Sequence, residues 1–259
     1  TFENVQTSVE LSKADLTDGK ELPGASLQVL DSTGTVVEEW ISTEEPHMIR
    51  GLLVGETYTL VETKPADGYT TAESIEFKVE DTAEVQKHQM LDDVTKVEIS
   101  KTDVTDSKEV PGAKLTILDK DGKVVESWVS DKDPHMVEKL PVGTYTLREE
   151  QAPDGYLVAE EVSFEVKDTG EIQKVEMKDA RPTGKLVLKK TDAEDGSPLA
   201  GAEFELRIKK SGKVVATLVT DEEGVATSGD IPIATHKDGK MKKEIEYILV
   251  ETKAPEGYV

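Results

Sequence analysis

The chain of 259 residues contains no cysteine. That excludes disulfides, thiolate metal sites, cysteine nucleophiles and thioesters built on cysteine, so any covalent bracing must come from other side chains. Long apolar runs are missing too: none approaches the roughly 20 residues that cross a bilayer, and no membrane insertion is expected within this segment. The opening TFENVQTSVELSK lacks the basic-then-apolar plan of a signal peptide. Basic residues number 31 against 54 acidic ones, a formal charge of -23. Such a surplus repels nucleic-acid phosphates and anionic lipid, so neither is expected as a partner. Helical periodicity is nowhere sustained, and there is neither a glycine-rich phosphate loop opening a helix nor a serine nucleophile beside its base.

What the chain does have is repetition. Lys13 falls in register with Lys101, Pro23-Gly24-Ala25 with Pro111-Gly112-Ala113, Trp40 with Trp128, and Pro46-His47-Met48 with Pro134-His135-Met136. A third copy starts near Gly184, matches at Lys190, Ala200-Gly201-Ala202 and Glu251, and carries an insertion around SGDIPIATHKDGKMKKE. Within each copy, short alternating runs rich in Val, Leu, Ile and Thr are separated by turn signals such as DSTGT, DKDGK, KSGK and DGY. The pattern predicts an all-β chain of tandem Ig-like sandwiches. The expected division is residues 6–94, 95–183 and 184–259, the last module lacking its closing strands, with residues 1–5 preserving the last strand of a preceding module. Short connections such as DDVTK and DARPTGK predict a stiff rod.

Period-two reading exposes an anomaly. Val9, Leu11 and Lys13 share one face of a strand, as do Val97, Ile99 and Lys101, and Leu186, Leu188 and Lys190. Tyr247, Leu249 and Glu251 do the same within YILVETKAPEGY, which is matched upstream by YTLVETKPADGY around Glu62 and YTLREEQAPDGY around Glu149. On the last strands, Met90 aligns with Asp92, and Met177 with Asp179. Each complete module therefore points a lysine, a glutamate and an aspartate inward. An ionised group in an apolar interior costs several kcal/mol unless paired, so the three must cluster or react. Burial lowers an amine pKa and raises carboxyl pKa values, making the neutral forms accessible together. Condensation of lysine with aspartate, with glutamate shuttling protons, would leave an uncharged amide. The alternative is a buried salt bridge of the same residues.

The motif YILVETKAPEGY resembles the E-box of Gram-positive pilins, and Lys-Thr-Asp followed by Pro-Gly-Ala or Ala-Gly-Ala resembles the opening of collagen-adhesin B-type (CnaB, SpaA-like, prealbumin-like) repeats. The resemblance covers essentially the whole chain. It implies an intramolecular isopeptide bond from Lys13 to Asp92, assisted by Glu62, and from Lys101 to Asp179, assisted by Glu149. In the third module Glu251 would be the assisting residue and Lys190 would stay unpaired, while Asn4 would be the acceptor left from a preceding module. This sequence departs from the family pattern in carrying aspartate where asparagine is common, so water rather than ammonia would leave. It also swaps the Ala-Pro order after Glu62 and replaces the usual threonine after Glu149. Asp93 is an alternative acceptor that alternation should turn outward.

The function so implied is a structural stalk of a cell-surface adhesin or pilus-like protein, extracellular and cell-wall anchored as part of a longer protein. Its chemistry would occur once per module, so it would not be a turnover enzyme. A second reading is an adhesive module that itself binds a host protein or glycan, through the insertion in the third copy; partners would then be host extracellular matrix or other copies of the surface protein. An enzyme using paired carboxylates fits poorly, because the repeated glutamates lie on core-facing strands rather than in a cleft. No cofactor or metal is expected. DKDGK lacks the later ligands of a calcium loop, and His47 and His135 have no second histidine nearby and are expected to pack turns. Trp40 and Trp128 are expected at the core or at module junctions.

Overall fold

The computed structural model describes residues 5–259, and the described residues contain strands and turns without a helix. The first module is built from β1 (Ser8–Asp15), β2 (Ser26–Leu30), β3 (Val36–Ile41), β4 (His47–Arg50), β5 (Thr57–Lys64), β6 (Ile75–Lys78) and β7 (Val85–Asp92). The second repeats it with β8 (Lys96–Asp103), β9 (Lys114–Leu118), β10 (Val124–Val129), β11 (His135–Glu138), β12 (Gly143–Gln151), β13 (Val162–Val166) and β14 (Ile172–Asp179). In each, a three-stranded sheet, β4-β1-β7 or β11-β8-β14, faces a four-stranded one, β3-β2-β5-β6 or β10-β9-β12-β13. The chain is thus an all-β array of tandem sandwiches. Alternation fills the space between sheets: Val9, Leu11, Leu27, Val29, Tyr58, Leu60, Phe77 and Met90 form one core, and Val97, Ile99, Leu115, Ile117, Tyr145, Leu147 and Met177 the other.

The pairing of first and last strands sets each module apart from a simple antiparallel sandwich. The other ladders of these two modules are antiparallel, but β1 runs parallel to β7, from Ser8 beside Val85 to Asp15 beside Asp92, and β8 runs parallel to β14 in the same way. The chain therefore enters and leaves each sandwich on neighbouring strands that point in the same direction.

The third module consists of β15 (Thr183–Gly184), β16 (Val187–Lys189), β17 (Glu203–Ile208), β18 (Val214–Val219), β19 (Val225–Thr227), β20 (Ile231–Pro232), β21 (Ala234–Lys237), β22 (Lys240–Glu244) and β23 (Tyr247–Lys253). Strand β16 pairs with β19 alone, with no parallel neighbour among the described residues, and β23 forms an edge of the sheet β18-β17-β23. The insertion forms the hairpin β21–β22, whose tip at Asp238 and Gly239 adopts the left-handed conformation. That tip reaches back to the second module: Gln151 Nε2 donates to Asp238 Oδ1 at 2.6 Å, and the Gly155 amide donates to the His236 carbonyl at 3.1 Å. A β-carbon on Gly239 would lie 2.3 Å from Val158 Cγ2, so the hairpin sits flush against its neighbour.

Turn chemistry is also repeated. Asp31 and Asp119 each accept two backbone amides across the hairpin turns that come after β2 and β9, so the DSTGT and DKDGK signals close β-hairpins. A buried hydroxyl, which no periodicity signals, holds each Gly-Ala segment. Ser42 Oγ accepts from the Ala25 amide at 2.9 Å and donates to the Leu22 carbonyl at 2.6 Å. Ser130 treats Ala113 and Val110 the same way, and Thr220 treats Ala202 and Leu199. All three residues are buried, so removing one hydroxyl strands a donor and an acceptor away from water. Ser42→Ala should lower stability by about 1–3 kcal/mol in denaturant unfolding; an unchanged midpoint would mean that water replaces the hydroxyl at no cost.

Candidate functional site: a buried amine between two carboxyl groups

On β1 the inward positions run Val9, Leu11, Lys13, and on β7 they end at Met90 and Asp92. Lys13 lies directly beside Met90, and Asp92 is two residues further along the same face. Glu62 comes from the opposite sheet, on β5, where it succeeds Tyr58 and Leu60 on the inward face. Beyond these three residues the chain closes over them with a small apolar cluster of Leu22, Ala25, Ala66, Tyr69 and Val94. The triad is therefore sealed between the main core and an apolar end cap. Lys13 is 1% exposed, Glu62 5% and Asp92 0%.

The amine of Lys13 sits 3.0 Å from Glu62 Oε1 and in direct contact with Asp92 Oδ1. Lys101 lies 3.3 Å from Glu149 Oε1 and in the same contact with Asp179 Oδ1. Burial pushes the Asp92 carboxyl up to about 7, against the pull of Lys13, and Glu62 pushes the same way. Burial likewise raises Glu149 and Asp179 in the second module, again against the attraction of Lys101. One oxygen of each carboxyl group, Glu62 Oε1 and Asp92 Oδ2, and likewise Glu149 Oε1 and Asp179 Oδ2, is buried without a hydrogen-bond partner. Glu62 Oε1 lies close to the amine without forming a hydrogen bond to it. A buried ion triad with unsatisfied acceptors is a costly arrangement, and a proton shared between the two acids or conversion to an amide would relieve it.

The second oxygen of each glutamate is tied down. Ala72 donates its amide to Glu62 Oε2 at 2.6 Å, and Ala159 donates to Glu149 Oε2 at 2.6 Å. These amides lie ten residues after the glutamate in both copies, an offset present in the repeat but invisible to side-chain chemistry. Asp93 is turned away from Lys13 and accepts the amine of Lys96 at 2.8 Å.

The third module brings only two of the groups together. Lys190 Nζ lies 2.9 Å from Glu251 Oε2, and both side chains are about one-third exposed, 30% and 32%. Leu186 and Leu188 pack on Ala202, Phe204, Leu218 and Ala226 ahead of them. Asn4 lies outside the described residues. His47 and His135 stack on Trp40 and Trp128 at ring separations of 4.2 and 4.4 Å, and each meets a glutamate, Glu38 or Glu126. Both tryptophans also pack against the cores. The burial contrast makes a prediction: mild amine acetylation of the folded chain should modify Lys190 readily and leave Lys13 and Lys101 untouched, as read by peptide mass spectrometry. Modification of Lys13 at a surface-like rate would contradict the sealed site.

A family model for the SpaA prealbumin-like fold domain matches residues 7–93, 95–181 and 184–259. No curated protein matches the chain. Among solved structures, the Bacillus anthracis TIE protein is 26% identical, with 97% of this chain and 49% of that one covered and a TM-score of 0.49. The present chain thus spans about half the length of that protein. The streptococcal ancillary pilin is 16% identical over 98% of this chain and 92% of its own, TM-score 0.40. BcpA, the major pilin subunit of Bacillus cereus, is 19% identical over 96% and 89%, TM-score 0.39. With three matches that together take in nearly every residue, the chain belongs to the SpaA prealbumin-like domain family, as three domains in tandem.

Proposed function

We propose that this chain is a load-bearing spacer of a Gram-positive surface protein, of adhesin or pilus type, whose first two modules each close an internal isopeptide bond. The observation that carries the reading is the sealed contact of Lys13 with Asp92 beneath Glu62, repeated at Lys101, Asp179 and Glu149. The Lys13 nitrogen attacks the Asp92 carboxyl carbon, a C–N bond forms and a C–O bond breaks. Glu62 delivers a proton to the departing hydroxyl and recovers one from the amine nitrogen, so one water leaves and the glutamate is unchanged. The product amide carries no charge and removes the burial penalty that raises Asp92. Each module reacts once, on itself, which is a maturation step rather than turnover.

The parallel pairing gives the bond its mechanical meaning. Tension applied at the two ends of a module enters on β1 and leaves on β7, strands that would shear past one another. A link from Lys13 to Asp92 carries that load across the pair and leaves the intervening chain outside the force path. The spacer reading is also favoured over direct host binding through the insertion, because the tip of that hairpin is already engaged with the second module. Polymerisation, wall anchorage and the extracellular setting belong to the same proposal.

Intact mass decides it. The mature chain should weigh two waters less than its sequence, Glu62→Ala and Glu149→Ala should each restore one water, and an unshifted mass in the parent rejects both bonds. Asp92→Asn should still close, losing ammonia in place of water. Loss of one bond should also cost about 3–5 kcal/mol of stability, by analogy with disulfides closing loops of similar length, visible in thermal unfolding and in protease resistance.

A further inference from the structure

The tyrosine that ends each repeated Gly-Tyr motif takes no part in the buried triad, yet it recurs at a fixed place. Tyr69 donates its hydroxyl to Asp15 Oδ2 at 2.7 Å, Tyr156 to Asp103 Oδ2 at 2.8 Å, and Tyr258 to Asp192 Oδ2 at 2.6 Å. Each aspartate stands two residues after the inward lysine, so each module builds the same carboxylate–phenol pair at one end. In the first two modules a cation from beyond the closing strand completes the pair. Lys139, on a loop of the second module, reaches Tyr69 Oη at 2.6 Å and Asp15 Oδ2 at 3.2 Å, and lies 4.8 Å above the tyrosine ring. Arg181, in the connection after β14, donates to Tyr156 Oη, contacts Asp103 Oδ2 at 2.9 Å and stacks on that ring at 4.8 Å. The pair at Asp192 and Tyr258 forms with no cation beside it among the described residues, so carboxylate and phenol meet without one.

We infer that this carboxylate–phenol pair is a docking site for a basic side chain from the next stretch of chain, and that at the first junction its capture of Lys139 sets the angle between neighbouring modules. The surrounding backbone is shaped for the approach. Gly68, at φ 86°, lies so near the next module that a β-carbon there would be 2.5 Å from the Lys139 carbonyl oxygen, and Lys139 itself takes a left-handed φ of 62°. The linker residue Thr95 is stitched to both sides, its amide donating to Gly68 O and its hydroxyl to Leu140 O. Charge complementarity is local: hydrogen bonds from the Tyr69 hydroxyl, the Thr17 amide and Lys139 hold the Asp15 carboxyl well below the usual carboxylate range. A lysine or arginine meets every demand of the site, a long stem, a positive head and affinity for an aromatic face.

The absence of cysteine allows a clean test on the whole chain. Nitroxide labels at Ser32→Cys and Lys120→Cys, exposed positions in hairpin turns of the first and second modules, report the inter-module distance by pulsed electron resonance. The parent should give one narrow distance peak. Lys139→Ala and Tyr69→Phe should each lose it to a broad distribution, Lys139→Arg should retain it, and Lys132→Ala, an exposed control in the same module, should leave it unchanged. A parent-like peak in Lys139→Ala overturns the inference, as does equal broadening in Lys132→Ala. Should Lys139→Ala lower the melting of the second module, Tyr69→Phe decides from the other side of the joint, a narrow peak there being the overturning result. Lys13, Glu62 and Asp92 stay intact in all variants, so the outcome is separate from that of the mass measurement.

Discussion

The structure depends on a lysine amine held in an apolar interior by two carboxyl groups. Taking Lys13 out of water costs several kcal/mol unless charge or chemistry compensates, and the fold supplies the compensation from two directions. Asp92 arrives on the neighbouring parallel strand and Glu62 on the facing sheet. The two carboxyl groups thus meet the amine from different sheets. The small cap of Leu22, Ala25, Ala66, Tyr69 and Val94 then removes the remaining water. Met90 lies beside Lys13 as an apolar wall, which is why the site reads as a continuation of the core rather than a cleft.

A strand and the loop after it place groups at two depths. Glu62 and Glu149 point into the sandwich, while seven residues later Tyr69 and Tyr156 meet an aspartate at the module's end. Because β5 and β12 end in this loop, any shift of the glutamate would be felt at the junction, and the backbone amides of Ala72 and Ala159 limit such a shift. The same short stretch thus links the buried triad to the end of the module. The two junctions nonetheless differ. At the first, the next module sends a lysine loop; at the second, the cation is local and the next module leans in with an inserted hairpin. The insertion, a candidate binding element by sequence, is thereby engaged within the chain itself.

The third module shows what the parallel partner contributes. Lys190 and Glu251 find each other at 2.9 Å, so the facing-sheet half of the site forms by itself. With no parallel strand beside β16 among the described residues, both are about one-third exposed, whereas the matching groups of the first two modules are sealed. Exposure keeps the pair hydrated, and solvent screening makes it an ordinary surface ion pair.

Alternation, repeat register and turn residues in the sequence determined the all-β class, the tandem organisation and the inward direction of Lys13, Lys101, Glu62, Glu149, Asp92 and Asp179. Each of these is a local property: period two fixes which face a side chain occupies, and Gly or Asp at a turn fixes where a strand ends. The sequence also separated Asp93 from Asp92 by facing alone. What it could not determine was which distant segments meet, within a module or across a boundary. The hydroxyl ties of Ser42 and Ser130, the capture of Lys139 by Tyr69 and Asp15, and the seating of the β21–β22 hairpin on Val158 join residues 17 to 124 positions apart. No periodicity encodes such contacts, because they depend on strand order, on the parallel return of the last strand beside the first, and on how closely two folded surfaces approach at Gly68 and Gly239. Only the tertiary structure decided those.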